Sequence, residues 1–322
     1  MSEATFEPLS STRRKTSPAL EQILYQKFAV LDHGYVAVMD YMGTDSAIVQ
    51  AARVSYGEGT KHIQEDAGLI RYLLRNMHTS PFEMCEIKLL VRLPIFVARQ
   101  WIRHRTANVN EYSARYSILK EDFYIPRVEH MAAQSASNKQ GRGETLDALQ
   151  AAEVQDRLGK HSKDSYALYE HLLNKDALEH EINPNRQGLA RELARVVIPV
   201  NFYTEWYWKL DLHNLMHFFF LRTDEHAQYE IRAFADVMLH QIVKPWVPLA
   251  IEAFMDYRKN AMHLSARDVY IASAVASGED LTQVAQPYGW MERNADGTLK
   301  GNRERGECVE KLAKLGITVS FK

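Results

Sequence analysis

The run Ile87-Lys88-Leu89-Leu90-Val91-Arg92-Leu93 is apolar and β-compatible, and Pro94 ends it. A proline cannot donate to a strand ladder but suits the first turn of a helix, so the chain must pass at Pro94 from strand to helix, predicted over Ile95–His104. Around this junction the patterning predicts a strand near Tyr35–Met39 and helices over Asp45–Val54 and Asp66–Asn76. Further on it predicts helices over Glu153–Leu173 and Arg186–Val197, the latter stopped by Pro199. Val200–Lys209 is aromatic-rich and strand-like. Asp211 suits the cap of a helix running to Arg222, and a longer helix covers Ala227–Val243 before Pro245. Helices alternating irregularly with a few strands point to an α+β fold rather than a doubly wound sheet.

A chain of 322 residues holds one large domain or two ordinary ones. The first 18 or so residues are polar and rich in Ser, Thr and Pro, the composition of a loose arm. The stretch AAQSASNKQGRG between Met131 and Glu144 has no periodicity and reads as a surface loop within one domain. From about residue 265 the chain carries more Gly, Asp and Arg and its periodicity weakens; no internal repeat is present. A formal charge of −2 and a pI near 6.7 argue against a surface built to grip nucleic acid, so any anion binding must come from local arginine clusters. The two cysteines, Cys85 and Cys308, form no CxxC; this fits a reducing compartment and argues against a disulfide scaffold or a zinc–thiolate site. The N-terminus lacks the apolar core of a signal peptide, and no apolar run is long enough to span a bilayer. The expectation is a cytoplasmic globular protein.

The helix predicted after Pro94 places Phe96, Gln100 and Arg103 on one face at i, i+4 and i+7. A Gln and an Arg on an otherwise apolar face need partners, because an unpaired polar group there costs about 1–3 kcal/mol. If Glu111 to Arg115 is extended, Glu111, Ser113 and Arg115 point to one side and gather a carboxylate, a hydroxyl and a guanidinium. Such a set suits a phosphorylated ligand carrying a ribose or heterocycle, since Arg meets phosphate through a planar fork. An isolated Arg-His-Arg triplet would more often be an exposed helix end, with Glu111 paired to an arginine; a nucleic-acid patch is disfavoured by the mild net charge.

The full pattern is Arg103-His104-Arg105, seven residues, then Ser113. It is similar to the signature motif of the flavin-dependent thymidylate synthases, as are Ala98-Arg99-Gln100-Trp101 and Asn110 through Ser117. Four distant segments also resemble that family: Ala51–Ser55, His78–Glu83, Ala194–Pro199 and Leu221–Ile231. The resemblance spans roughly residues 30 to 260. It implies a polar arm over 1–30, a catalytic domain over 31–262 and an extension of unknown role over 263–322. It also implies helices packed on a mainly antiparallel sheet, and a homotetramer whose active sites are shared between subunits. The implied reaction makes dTMP from dUMP, with 5,10-methylenetetrahydrofolate as carbon donor and NADPH-reduced FAD as hydride donor, releasing tetrahydrofolate.

By the same resemblance the dUMP set is Gln100, Trp101, Ile102 and Arg103, then Glu111, Tyr112, Ser113, Ala114 and Arg115, with Arg195 and Arg222 completing it. Arg222 is the catalytic residue, stabilising negative charge that develops on the uracil ring. The FAD set is His78, Ser80, Arg103, His104, Arg105 and Glu111, together with Asp211, Leu212, His213 and His217. Where the family often has Asn, Arg and Asn, this chain has Asp211, His213 and His217. From spacing alone, His213 and His217 stand i, i+4 as in a zinc-binding helix, yet Asn214-Leu215-Met216 lacks a catalytic Glu and no third ligand is apparent, so no metal is expected.

No GxGxxG and no GxxxxGK[ST] occurs, so a dinucleotide fold or a P-loop has no support. Neither cysteine has the Pro-Cys-His setting of the cysteine-dependent thymidylate synthases. Two alternatives remain open: a non-enzymatic nucleotide- or RNA-binding protein using the Arg-His-Arg cluster, and a flavoprotein of this fold with another methyl acceptor.

Overall fold

The strand that Pro94 closes lies at the centre of a five-stranded sheet. The computed structural model describes residues 12–54, 66–136 and 141–321. The chain divides into two compact units, Met1–Lys259 and Asn260–Lys322. In chain order the first contains α1 (Pro18–Glu21), β1 (Phe28–Val30), β2 (Gly34–Met42), α2 (Asp45–Val54), α3 (Asp66–Arg75), α4 (Ser80–Glu83), β3 (Glu86–Pro94), α5 (Ile95–Trp101) and β4 (Asn108–Glu111). It continues with β5 (Ala132–Gln134), β6 (Arg142–Thr145), α6 (Ala148–Leu173), α7 (Arg191–Ala194), β7 (Tyr203–Asp211), α8 (Leu212–Arg222), α9 (Tyr229–Val237), α10 (Lys244–Trp246) and α11 (Pro248–Phe254). The sheet order is β1-β2-β3-β7-β4 with every neighbouring pair antiparallel, so the architecture is α+β.

Period-two alternation builds the core. Ile87, Leu89, Val91 and Leu93 of β3 are fully buried on one face, beside Trp206, Trp208 and Leu210 of β7. The β3–β7 register runs unbroken from Glu86↔Asp211 to Pro94↔Tyr203. It therefore starts α5 and α8 from opposite ends of the strand pair, and their C-terminal parts meet over the buried face, where Trp101 and Phe218 pack with centroids 4.7 Å apart. Trp101 is enclosed by Trp206, Trp208 and Phe234 as well, so the end of α5 is anchored in an aromatic cluster.

Several sequence expectations shift. The helix predicted to His104 stops at Trp101, and the Ile102 and His104 amides close turns onto Ala98 and Trp101. The predicted helix Arg186–Val197 keeps only α7 and a 3-10 turn over Arg195–Val197. Residues before it instead lie on the end of α6: the Asn174 side chain bonds the Asn183 and Arg186 carbonyls, and the Leu189 amide donates to Leu172 O at 2.7 Å. Gly188 permits that approach, because a Cβ there would stand 1.9 Å from the Leu173 carbonyl oxygen. The helix predicted over Ala227–Val243 begins at Tyr229 and widens into a π-helical segment over Met238–Val243. The surface loop between Met131 and Glu144 contains the β5–β6 hairpin, with its residues 137–140 outside the described ones. Of the polar arm, 1–11 lie outside the described residues, whereas Ser17 and Leu20 are buried and β1 pairs with β2, so its second half is built into the sheet's surroundings.

The second unit contains α12 (Ala266–Ser277), α13 (Leu281–Ala285) and α14 (Arg303–Lys314). Ile271, Ala285, Trp290, Cys308 and Leu312 form its own core, and Ser265 with Asp268 closes a capping box at the start of α12. Among the described residues no helix is long and apolar enough to cross a membrane.

Candidate active site

The turn after α5 and the end of α8 put a histidine against an arginine. Arg222 Nε donates to His104 Nε2 at 2.9 Å. That bond requires an imidazole whose Nε2 is unprotonated, and the surroundings supply it: burial first, then the Arg222 charge and His217, push His104 down to about 4. The His104 ring lies edge-on to Phe218 at 4.9 Å and to His217 at 6.2 Å. Arg222 is half-buried, and burial also lowers its pKa, although a guanidinium stays charged at any working pH. Its bond is to a neutral acceptor, so the charge is held in place without being neutralised. The acceptor is an imidazole lone pair, not a carboxylate or a carbonyl.

Arg222 faces a cleft of about 1010 Å³ with Gln100. The Gln100 side-chain oxygen is buried and has no bonding partner among the described residues, as is also true of the Nε1 atoms of Trp101, Trp206 and Trp208 beneath it in the core. The opposite wall comes from the β5–β6 hairpin and from the segment 225–232 that follows Arg222. Arg142 of the hairpin fixes that wall: its Nη2 donates to both oxygens of Glu230 at 2.6 and 2.7 Å, and its Nη1 donates to His130 O at 3.0 Å. Glu230 is 1% exposed and also accepts from the Tyr124 hydroxyl and Gln228. Its carboxyl is held below the usual range, with burial opposing and these bonds outweighing it. Sequence reasoning missed this network. Glu230 carried a signal, a carboxylate on the same helix face as Phe234, but Arg142 lies in a stretch with no pattern.

A second group lies where β4 ends. The expectation of extended chain from Glu111 to Arg115 holds to Tyr112, whose amide donates to Glu205 O; a turn follows, closed by the Tyr116 amide onto Ser113 O. The Ser113 side chain accepts from the Arg115 amide at 3.3 Å, and Arg115 pairs with Glu192 of α7 at 3.2 Å. Arg195 Nε donates to Glu192 O at 3.4 Å, and Arg191 donates to Tyr116 O at 2.7 Å. A hydroxyl and several guanidiniums therefore gather here, as a phosphate requires. Ala114 packs on the small core beside them. Glu111 accepts from Thr204 Oγ1 at 2.7 Å and pairs with no arginine among the described residues.

The other named residues are dispersed. Arg103 and Arg105 are exposed and form no ion pair among the described residues. Ile102 is exposed, and the Tyr112 hydroxyl donates to Ile118 O. His78 lies beside Tyr72, and Ser80 opens α4. Both Asp211 carboxylate oxygens are taken by Asn214, as a helix cap. The side chains of Trp101 and Leu212 are fully buried in the core, and the Leu212 amide donates to Cys85 O. Among the described residues no three metal-ligating side chains come together.

Residues 37–249 match the model of the family described as thymidylate synthase complementing protein. A flavin-dependent thymidylate synthase of Ruegeria pomeroyi is 58% identical over 272 residues, covering 84% of this chain and 87% of its own. That of Wolbachia pipientis wMel is 53% identical over 304 residues, covering 94% and 98%. Among solved structures, the UMP/dUMP methylase PolB from Streptomyces cacaoi bound with 5-Br UMP superposes with a TM-score of 0.62 at 31% identity, covering 71% of this chain and 98% of PolB.

Proposed function

This chain belongs to the family of flavin-dependent thymidylate synthases, and from that premise we propose that it converts dUMP to dTMP in the cytoplasm within residues 31–262. The carbon comes from 5,10-methylenetetrahydrofolate and tetrahydrofolate leaves. FAD reduced by NADPH supplies the hydride.

The observation that carries the reading is Arg222: a half-buried cation on an open cleft, bonded to a neutral histidine. The bond fixes Nε and leaves the Nη groups without a partner among the described residues. Set against a uracil carbonyl, they stabilise the negative charge that grows there as the pyrimidine attacks carbon. No enzyme nucleophile is required; burial pushes the Cys85 thiol up to about 12, far from a thiolate at neutral pH. Gln100 lines the same cleft and would lie beside the pyrimidine, while Ser113, Arg115 and Arg195 receive the phosphate. Ser113 binds rather than attacks, since no His–Asp relay adjoins it.

The residues present suit FAD: Arg103 and Arg105 are exposed cations without ion-pair partners among the described residues, available to a diphosphate. His78, Ser80, Glu111, His213 and His217 would hold it with them. Asp211 is better described as the cap that fixes the start of α8.

No bond or ion pair joins the Gln100–Arg222 group to the Ser113–Arg195 group among the described residues. A homotetramer with shared active sites would bring one subunit's cleft to another's phosphate group.

The test is tritium release from dUMP labelled at carbon 5, with FAD, NADPH and methylenetetrahydrofolate present. NADPH-dependent release yielding tetrahydrofolate is expected. Dihydrofolate as product, or a colourless protein that binds polyanions in a salt-sensitive way, would overturn the reading.

A further inference from the structure

One bond at the site comes from a residue that has no part in the reading above. Thr204 Oγ1 donates to Glu111 Oε1 at 2.7 Å. Thr204 is 7% exposed and lies on the inward row of β7, two residues before Trp206 and opposite Leu93 of β3. Glu111 is exposed and ends β4 opposite Trp206, so the bond runs diagonally from one strand to its neighbour. The Tyr112 amide donates to Glu205 O at 2.8 Å, which carries the ladder one step past Glu111 and fixes the backbone from which its side chain leaves.

A row that continues as Trp206, Trp208 and Leu210 favours an apolar β-branched residue, and a valine at 204 would fill the same space with no hydroxyl to satisfy. The hydroxyl instead takes hold of a long side chain at the surface. Glu111 stands among Arg103, Arg105 and Arg115 in the sequence, yet it pairs with none of them among the described residues, and Arg115 goes to Glu192. Thr204 occupies one carboxylate oxygen, and Oε2 has no bonding partner among the described residues. A carboxylate oxygen held in this way repels phosphate and accepts from a hydroxyl. Two ligands of the reading above have one to offer: the sugar of the nucleotide and the ribityl chain of the flavin. Ordering a loose glutamate on binding weakens a ligand roughly three- to tenfold, and a bond already in place removes that cost.

Resting on the reading above, we infer that Thr204 is a positioning residue: its hydroxyl holds Oε1 of Glu111 so that Oε2 accepts from a ligand hydroxyl. Thr204 touches neither ligand and acts only through Glu111.

The experiment is a double-mutant cycle read in binding. FAD release from the loaded protein is followed by the rise in flavin fluorescence on dilution, and dUMP binding by the change it makes in flavin absorbance. Wild type, Thr204→Val, Thr204→Ser, Glu111→Ala and the Thr204→Val/Glu111→Ala double variant are compared. Thr204→Val should weaken FAD, dUMP or both roughly three- to tenfold, and the ligand that responds is the source of the hydroxyl. Thr204→Ser, which keeps the donor, should stay close to the wild type. With alanine at 111 the valine should cause no further loss, because the two residues act as one unit. Unchanged binding of both ligands by Thr204→Val overturns the inference. So does an equal loss with serine, or a loss that persists when Glu111 is already gone, since either would mean that Thr204 serves packing alone. If Thr204→Val fails to fold, Thr204→Ala takes its place in the cycle under the same criteria. A wild type that binds neither FAD nor dUMP would sink the proposed function and this inference with it, whereas the other failures leave that function standing.

Discussion

Arg222 and Arg115 have opposite kinds of partner. Arg115 meets the carboxylate of Glu192 with both side chains about half exposed, 55% and 54%. Arg222 meets a neutral imidazole and is more deeply set. An exposed ion pair contributes only about 0–1 kcal/mol and exchanges readily with solvent or a phosphate. A carboxylate at Arg222 would be different: under the proposed role it would cancel the charge offered to the uracil ring. Under the proposed function the contrast separates two uses of one side chain: a guanidinium that would exchange its carboxylate partner for the ligand, and one whose charge its partner leaves unneutralised.

The contrast fails most visibly if Arg222 is dispensable. Arg222→Ala should abolish dTMP formation while FAD remains bound; turnover at the normal rate would remove the assigned role. Next in size is His104→Asp, which keeps an acceptor but supplies a negative charge. Tritium release from dUMP should fall by roughly 10²–10³, the scale for disabling one preorganised electrostatic group, while His104→Asn should lose far less. If the two variants match, neutrality of the partner is irrelevant.

Titration sharpens the same point. His104 is held near 4 in the folded chain, below its unfolded value, so the unfolded chain binds the extra proton between about 6.5 and 4. Its neutral state therefore favours folding above pH 6.5, and that contribution declines as pH falls toward 4. Imidazole NMR signals of His104 should show no midpoint above pH 5; a midpoint near 6.5 would mean that neither its burial nor Arg222 holds it neutral. Arg142→Ala should lower the unfolding free energy, read from denaturant melts, by on the order of 2 kcal/mol, because Glu230 stays buried without its main partner. The smallest effect belongs to Glu192→Gln, which should change stability by less than about 1 kcal/mol and the KM for dUMP only a few-fold.

The legible parts of the sequence were those with local causes. Asp45–Val54 is a helix at the predicted bounds, and Asp211 caps α8 with its carboxylate on the Asn214 amide. The Ile87–Leu93 run is a strand one residue longer at each end. What stayed hidden depended on distant partners. Nothing near Arg186 announces that Asn174 will hold residues 183–186 out of a helix. The weak periodicity after residue 265 concealed a unit with a closed core around Trp290, since short helices joined by turns leave little pattern. The Wolbachia relative, matched over 304 residues, reaches well into that unit. At the site, motif residues were nameable, but the sequence did not reveal that Trp101 points inward while its neighbour Gln100 carries the buried, unbonded oxygen.

Gly188 carries a consequence for how such a chain can change over generations. A methyl group at this position would collide with the backbone of α6, which cannot yield as a flexible side chain would. The loop it joins leads directly into Arg191 and Arg195. Drift at residue 188 is thus closed to every other amino acid unless the loop is rebuilt, although the residue has no chemistry of its own. Random substitution libraries should return glycine there almost without exception, while tolerating wide replacement at exposed Leu193 in α7.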